Sequence, residues 1–288
     1  MISPHVRRLR LASELKRLRS EAGLTQVQLS RMIGKTNRMD LSRLENATSV
    51  DQADVLSILD VLGVEGDRWT EIVTIAREAS QQGWWDDVKH IGERQALTAN
   101  LEAGATRIRT YEQNFFPGLL QTPEFVHALM TVPDTPVPVT GTVEGITAGR
   151  VGRQRMLHRP GGPSLEVIID ELAVLRLSAP PRVVKKQLYD MAALVNEGKR
   201  NVTLRVLPIR ARITGYTVPL GAFTVYDYPD PGDPRVVAVD TVTSDLILTD
   251  EDQVKPYGKL YDRLVEAALS PEKSAELLTA AADALDDD

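Results

Sequence analysis

Arg38 and Arg43 carry planar guanidinium forks whose paired N–H donors match the two acceptors of a guanine edge or two oxygens of a phosphate. Gln26, upstream of both, offers an amide that donates to a phosphate oxygen. Thr36, Asn37, Met39 and Ser42 lie in the same stretch and complete the set that could touch base edges. This is the chemistry of polyanion recognition. The signs of catalysis are missing by comparison. His5, His90, His127 and His158 stand far apart without metal-ligand spacing, and no HExxH, GxSxG or phosphate-binding glycine loop occurs. Asp170 and Glu171 form the best carboxylate pair, but neighbours on a strand point to opposite faces, so they read as a strand end and a cap for the next element. With no cysteine, the chain has no disulfide, thiolate metal site or cysteine nucleophile. The expectation is a protein that binds rather than an enzyme, with no catalytic residues, no metal and no cofactor.

The net charge of −6 hides an asymmetry. Residues 1–50 hold ten basic and four acidic side chains, a balance of +6, which leaves −12 on the remainder. A basic segment on an acidic body suits one surface for a polyanion and another that repels it. Arg7, Arg8, Lys16 and Arg17 would add salt-sensitive attraction if they lie near a nucleic-acid backbone. No apolar run is long enough to span a bilayer, and the basic N-terminus has neither the apolar core nor the small-residue site of a signal peptide. A cytoplasmic location is expected, with no membrane contact.

These side chains must be positioned by short helices. Leu9, Leu11, Leu15, Leu18 and Ala22 recur mostly at three- and four-residue intervals, one helical stripe that Gly23 stops. Thr25 with Gln28 makes a capping box for a second helix, with Leu29, Met32 and Ile33 inward and Gly34 at its end. A third helix spans Arg38 to Asn46 with Leu41 and Leu44 inward, leaving Arg38, Met39, Ser42 and Arg43 outside. A fourth begins near Ser49 and runs to Leu62. Glu45 is expected in a stabilising ion pair with Arg43 rather than near phosphates. Short helices around a glycine-containing turn, with basic residues flanking it, form a helix-turn-helix. "LTQVQLSRMIG" followed by "LSRLEN" resembles the lambda-repressor-like Xre or Cro/C1 family. The resemblance implies that Gln26 grips phosphate, that the third helix enters the major groove of a double-stranded operator, and that Ser42, Arg43, Glu45 and Asn46 close that helix. The stretch from Gly34 to Ser42 is one residue longer than the family pattern, which leaves open which of Thr36, Asn37, Arg38 and Met39 reach bases.

Residues 67–100 read as a helical connector, Asp67 to Gln82 being helical and Gly83-Trp84-Trp85 breaking it. The two tryptophans could form an aromatic ligand shelf; anchoring the connector to a core is the favoured reading. From residue 101 the pattern becomes α+β: strands at Arg107 to Tyr111, Leu165 to Ile169, Val202 to Leu207, Ala222 to Tyr226 and Val236 to Val239, helices at Pro181 to Glu197, Glu251 to Leu269 and Pro271 to Leu285. The expected architecture is an all-α helix-turn-helix domain over residues 1–66, the connector, and an α+β domain over 101–288 with a small sheet covered by helices.

"GWWDD", "YEQNFFPGLLQTPEF", "RQRML", "VIIDELAVLR" and "GAFTVYDYPD…VVAVD" resemble, in order and spacing, the conserved segments of the domain of unknown function DUF5753. It follows an Xre-type helix-turn-helix in actinobacterial, WhiJ-like regulators. The resemblance implies a transcriptional regulator whose partner is a small DUF397-like protein, or an antitoxin that neutralises such a partner and regulates its own operon; it supplies no catalytic residues. Residues for a partner or effector are sought in Trp84, Trp85, Phe115, Phe116, Gln121, Gly149 and Arg153, which combine aromatic groups, a Pro117-Gly118 turn and a glycine face. Gly145, Gly149 and Gly152 either admit a close backbone or ligand, or belong to a mobile segment after the proline-rich stretch Pro133 to Pro138. One small helix-turn-helix contacts few base pairs, so a homodimer joined through the larger domain is expected.

Overall fold

The computed structural model describes residues 2–35, 38–132, 141–197, 201–241 and 244–286, with backbone alone for 38–40. Thr36, Asn37 and the stretch Pro133 to Pro138 lie outside the described residues. The chain forms two compact units, Met1–Asp86 with Pro229–Pro234, and Asp87–Tyr228 with Arg235–Asp288.

The first unit is all helical: α1 (Pro4–Glu21), α2 (Gln26–Met32), α3 (Arg38–Glu45), α4 (Gln52–Val61) and α5 (Gly66–Ala79). Three of the starts have a visible chemical cause. Ser3 caps α1 by accepting from the Val6 N–H at 3.2 Å, and Pro4 already has the φ that the first turn needs. The Thr25–Gln28 capping box forms as expected: the Gln28 N–H donates to Thr25 Oγ1 at 3.3 Å and the Thr25 N–H to Gln28 Oε1 at 2.8 Å. Gly34 closes the turn after α2 at a φ of +73°, a conformation that a side chain strains. The fourth helix begins three residues later than expected, because Asp51 caps it by accepting from the Ala53 N–H at 2.9 Å. The inward stripes, Met32 excepted because it is exposed, converge on one core of Leu11, Leu15, Leu29, Leu41, Leu44, Val55, Ile58 and Leu59, which also takes in Ile72 and Ile75 of α5. The residues read as a connector are therefore divided: α5 and the two tryptophans belong to the first unit, α6 (Glu93–Gly104) to the second.

The second unit is built on a six-stranded mixed sheet ordered β3-β2-β1-β4-β5-β6. Its strands are β1 (Arg107–Glu112), β2 (Ser164–Asp170), β3 (Val202–Leu207), β4 (Phe223–Asp227), β5 (Val236–Asp240) and β6 (Asp245–Leu248). The first three run parallel, because helices fill the crossovers: α7 (Pro123–Met130) and α8 (Val143–His158), then α9 (Glu171–Leu175) and α10 (Pro181–Asn196). The last three are antiparallel. Strand β6, only four residues long, lies outside the strands expected from the sequence. The period of two splits each strand between faces. Arg109 and Tyr111 point to α11 (Glu251–Ala267), where Tyr111, Phe223 and Val225 pack on Val254, Tyr261 and Leu264. Ile108, Thr110 and Glu112 point the other way. A last helix, α12 (Pro271–Asp283), packs along α10.

Candidate functional sites

In the first unit, α2 and α3 form the candidate nucleic-acid interface. Inward Leu41 and Leu44 roll α3 so that Arg43 is exposed, and among the described residues Arg43 makes no ion pair. Ser42 is half-buried and accepts from the Asn46 amide at 3.2 Å. Arg38 and Met39 lie in the first turn of α3. Glu45 is buried and forms an ion pair as expected, but its cation differs: Arg19 of α1 donates to both carboxylate oxygens, at 2.6 and 3.0 Å. Arg19 also reaches the Leu24 carbonyl at 2.8 Å, which ties α1, the turn and α3 together. The Gln26 amide donates to Glu45 Oε2 at 2.8 Å. An amide nitrogen carries two hydrogens, so one remains for a phosphate. The expected basic flank shrinks. Arg7 is buried, pairing with Glu78, Asp230 and Asp233 at 2.9 Å each, and Arg17 pairs with Glu14 and Glu21 at 3.0 and 2.7 Å. Lys16 and Arg31 are exposed and, among the described residues, make no ion pair.

In the second unit the densest polar chemistry lies where α6 and α8 cover the Glu112 face of the sheet. Arg153 of α8 is buried and clamps Glu102 of α6 at 2.8 and 2.6 Å, with a third bond to Gln95 Oε1 at 2.7 Å. Arg150, one turn earlier, lies against Gly118, and its Nε is buried without a partner. Burial and the charge of Arg153 lower its pKa to about 9. Burial, with Asp240 adding to it, raises the Glu112 carboxyl to about 8. Phe115–Gln121 wraps this region: the Gln121 amide donates to the Phe116 carbonyl at 2.6 Å, and Phe116 packs at a tilt against Phe125 with centroids 5.1 Å apart.

The family description "Domain of unknown function (DUF5753)" matches residues 95–280, about two thirds of the chain and nearly all of this unit. The chain belongs to the DUF5753 family. A second description, "Helix-turn-helix domain", matches residues 10–71. No curated protein and no solved structure matches.

The DUF5753 domain uses most of the expected partner residues for itself. Phe116, Gln121 and Arg153 are buried in the contacts just described. Gly149 gives room to the Ile91 side chain, since a Cβ there would come within 2.7 Å of Ile91 Cγ1. Gly145 lies beneath the His90 carbonyl, so close approach by the chain's own residues, backbone at Gly145 and a side chain at Gly149, is the reason for these two glycines. Phe115 is exposed. In the first unit, Trp85 is buried and meets the half-buried Trp84 edge-on at 5.9 Å, its ring covering Gly83. A groove of about 500 Å³ between α7 and α8, lined by His127, Val143, Thr147, Val151 and Arg155, carries no signal in the sequence. Among the described residues no cluster of metal-ligating side chains occurs, and no helix is long and apolar enough to cross a membrane.

Proposed function

We propose that this protein is a sequence-specific, DNA-binding transcriptional regulator whose DUF5753 domain binds a small DUF397-like protein or a small effector. The observation that carries the reading is the helix-turn-helix itself, with an exposed Arg43 on the helix after the turn and a separate DUF5753 domain following it in the chain. Arg43 has the reach and fork to read a guanine, while Gln26 sits at the first turn of α2, where a helix N-terminus also favours a phosphate. The role is one of binding, not catalysis, and the protein acts in the cytoplasm on a two-fold operator as a homodimer.

The test is an operator titration with full-length protein, with and without the small neighbouring protein. Specific binding that weakens steeply with salt, and shifts when the partner is added, supports the reading. Affinity that ignores salt sinks the DNA assignment. A partner that binds but leaves operator affinity unchanged replaces regulation with an antitoxin-type interaction module. Light scattering of the free protein and its operator complex tests the dimer, and a monomer in both states removes it.

A further inference from the structure

We infer that the segment joining β3 to β4 is a docking strand for an acidic, extended segment of a partner protein. The alternation of this segment is inverted. Ile213 and Ala211 pack on the domain core and Pro219 is buried, whereas Tyr216, Val218 and Leu220 point to solvent with 91%, 71% and 104% of their surface exposed. Thr214–Tyr216 make a single 3-10 turn and the chain leaves it extended at Thr217; an extended stretch ordinarily turns its apolar set inward. Ile209, at the start of the same connection, is 59% exposed. Single exposed apolar residues need no explanation, but four large ones within one short connection mark a candidate contact surface.

Side-chain hydrogen bonds tether the stretch near both ends. Arg263 Nη1 donates to Thr217 Oγ1 at 2.9 Å, and the Ile209 N–H donates to Glu171 Oε2 at 2.8 Å. Tyr216 takes a φ of +54°, a conformation that strains a residue with a side chain and turns its ring outward.

The backbone here is also open to a partner. Thr217 is extended, at φ −80° and ψ 112°, and among the described residues Val218 and Leu220 make no main-chain hydrogen bond. Exposed N–H and C=O groups beside outward apolar side chains are what a partner strand needs in order to add to an edge.

Charge selects the occupant. Residues 208–222 contain Arg210 and Arg212 and no acidic residue, in a chain of net charge −6. Both arginines are exposed and, among the described residues, make no ion pair. Two cations are too few for an anionic bilayer, where about four to eight form the usual cluster, but they suit a carboxylate-bearing strand. The inference deepens the proposed function by naming where a protein partner sits and what it must carry.

The test uses full-length protein and three labelled synthetic peptides: alternating Glu and Val, the same with Lys for Glu, and the same with Ser for Glu. Fluorescence anisotropy should rank the Glu peptide first. Val218→Asp with Leu220→Asp should weaken it roughly tenfold or more, and Arg210→Glu with Arg212→Glu should transfer the preference to the Lys peptide. N-methylation of the Glu peptide's backbone should abolish binding, since strand addition uses those N–H groups. The replaced side chains are exposed, so circular dichroism melts should be unchanged. Equal binding of Glu and Lys peptides, binding indifferent to these variants, or no peptide bound at all overturns the inference. So does loss of a dimer in the Asp variant, which assigns the surface to a second copy, or lipid-vesicle binding lost in that variant, which assigns it to membrane. The peptide titration contains no DNA, so its failure is distinct from a failure of the regulatory reading.

Discussion

Glu45 is buried between Arg19 and Gln26 at the end of α3, while Arg43, two residues earlier, is exposed and makes no ion pair among the described residues. Substitution should separate the two. Arg43→Ala should leave the thermal midpoint unchanged and weaken operator binding by about 1–3 kcal/mol if the guanidinium reads a base, with a much smaller loss on random DNA. Equal losses on both DNAs would make it a phosphate contact. Glu45→Ala strands a largely buried guanidinium and removes the acceptor of Gln26. It should therefore destabilise the first unit by roughly 3–5 kcal/mol, read by urea unfolding. Ala47 ends the same helix at a φ of +57°, with its N–H bonded to the Leu44 carbonyl at 3.2 Å. Ala47→Gly should stabilise the unit by about 0.5–1 kcal/mol, since glycine adopts this conformation without strain. An unchanged or lower midpoint would refute that.

Helix α8 shows how one element can accept residues that weaken it locally. Glycine inside a helix costs about 1 kcal/mol relative to alanine, yet Gly145 and Gly149 admit the backbone and side chain of residues 89–91. The obstacles differ. A Cβ at Gly145 would meet the Lys89 carbonyl at 2.6 Å, and backbone yields little; a Cβ at Gly149 meets only the Ile91 side chain, at 2.7 and 2.8 Å. Gly145→Ala should therefore destabilise by roughly 1–3 kcal/mol despite its helix-propensity gain. Gly149→Ala should cost less, and Ile91→Ala should relieve it, so the double variant is more stable than the sum of the singles. Strict additivity in denaturant unfolding would remove Ile91 as the reason for Gly149.

At the scale of the whole molecule, the two units answer pH in opposite directions. Burial, then the charge of Arg8, lowers His5 from 6.5 to about 4. The unfolded chain takes that proton first, so the first unit should lose stability as pH falls from about 6.5 to about 4. Glu112 is raised from 4.5 to about 8. The folded chain keeps its proton longer, so the second unit should lose stability as pH rises from about 4.5 to about 8. The probes are already separated: Trp69, Trp84 and Trp85 lie in the first unit, and all seven tyrosines in the second. Tryptophan fluorescence and tyrosine near-UV dichroism should therefore show opposite pH trends in unfolding. His5→Gln should flatten the first trend and Glu112→Gln the second; a trend that survives its substitution belongs to another group.

The features legible in the chain alone are local ones. Caps, glycine stops and apolar periodicity are written within a few residues of the structure they specify. This is why α1, the Thr25–Gln28 box, five of the six strands and the long helices α10, α11 and α12 can be read directly. Packing decided whatever depends on partners distant along the chain. Arg19 rather than Arg43 neutralises Glu45 across 26 positions. Arg7 is drawn into pairs with Asp230 and Asp233 across more than 220, and Arg153, Phe116 and Gln121, which read as recognition groups, are consumed by the fold. The outward display of Tyr216, Val218 and Leu220 is invisible in the residue order for the same reason. Period two says that a segment has two faces, and only packing says which of them meets water.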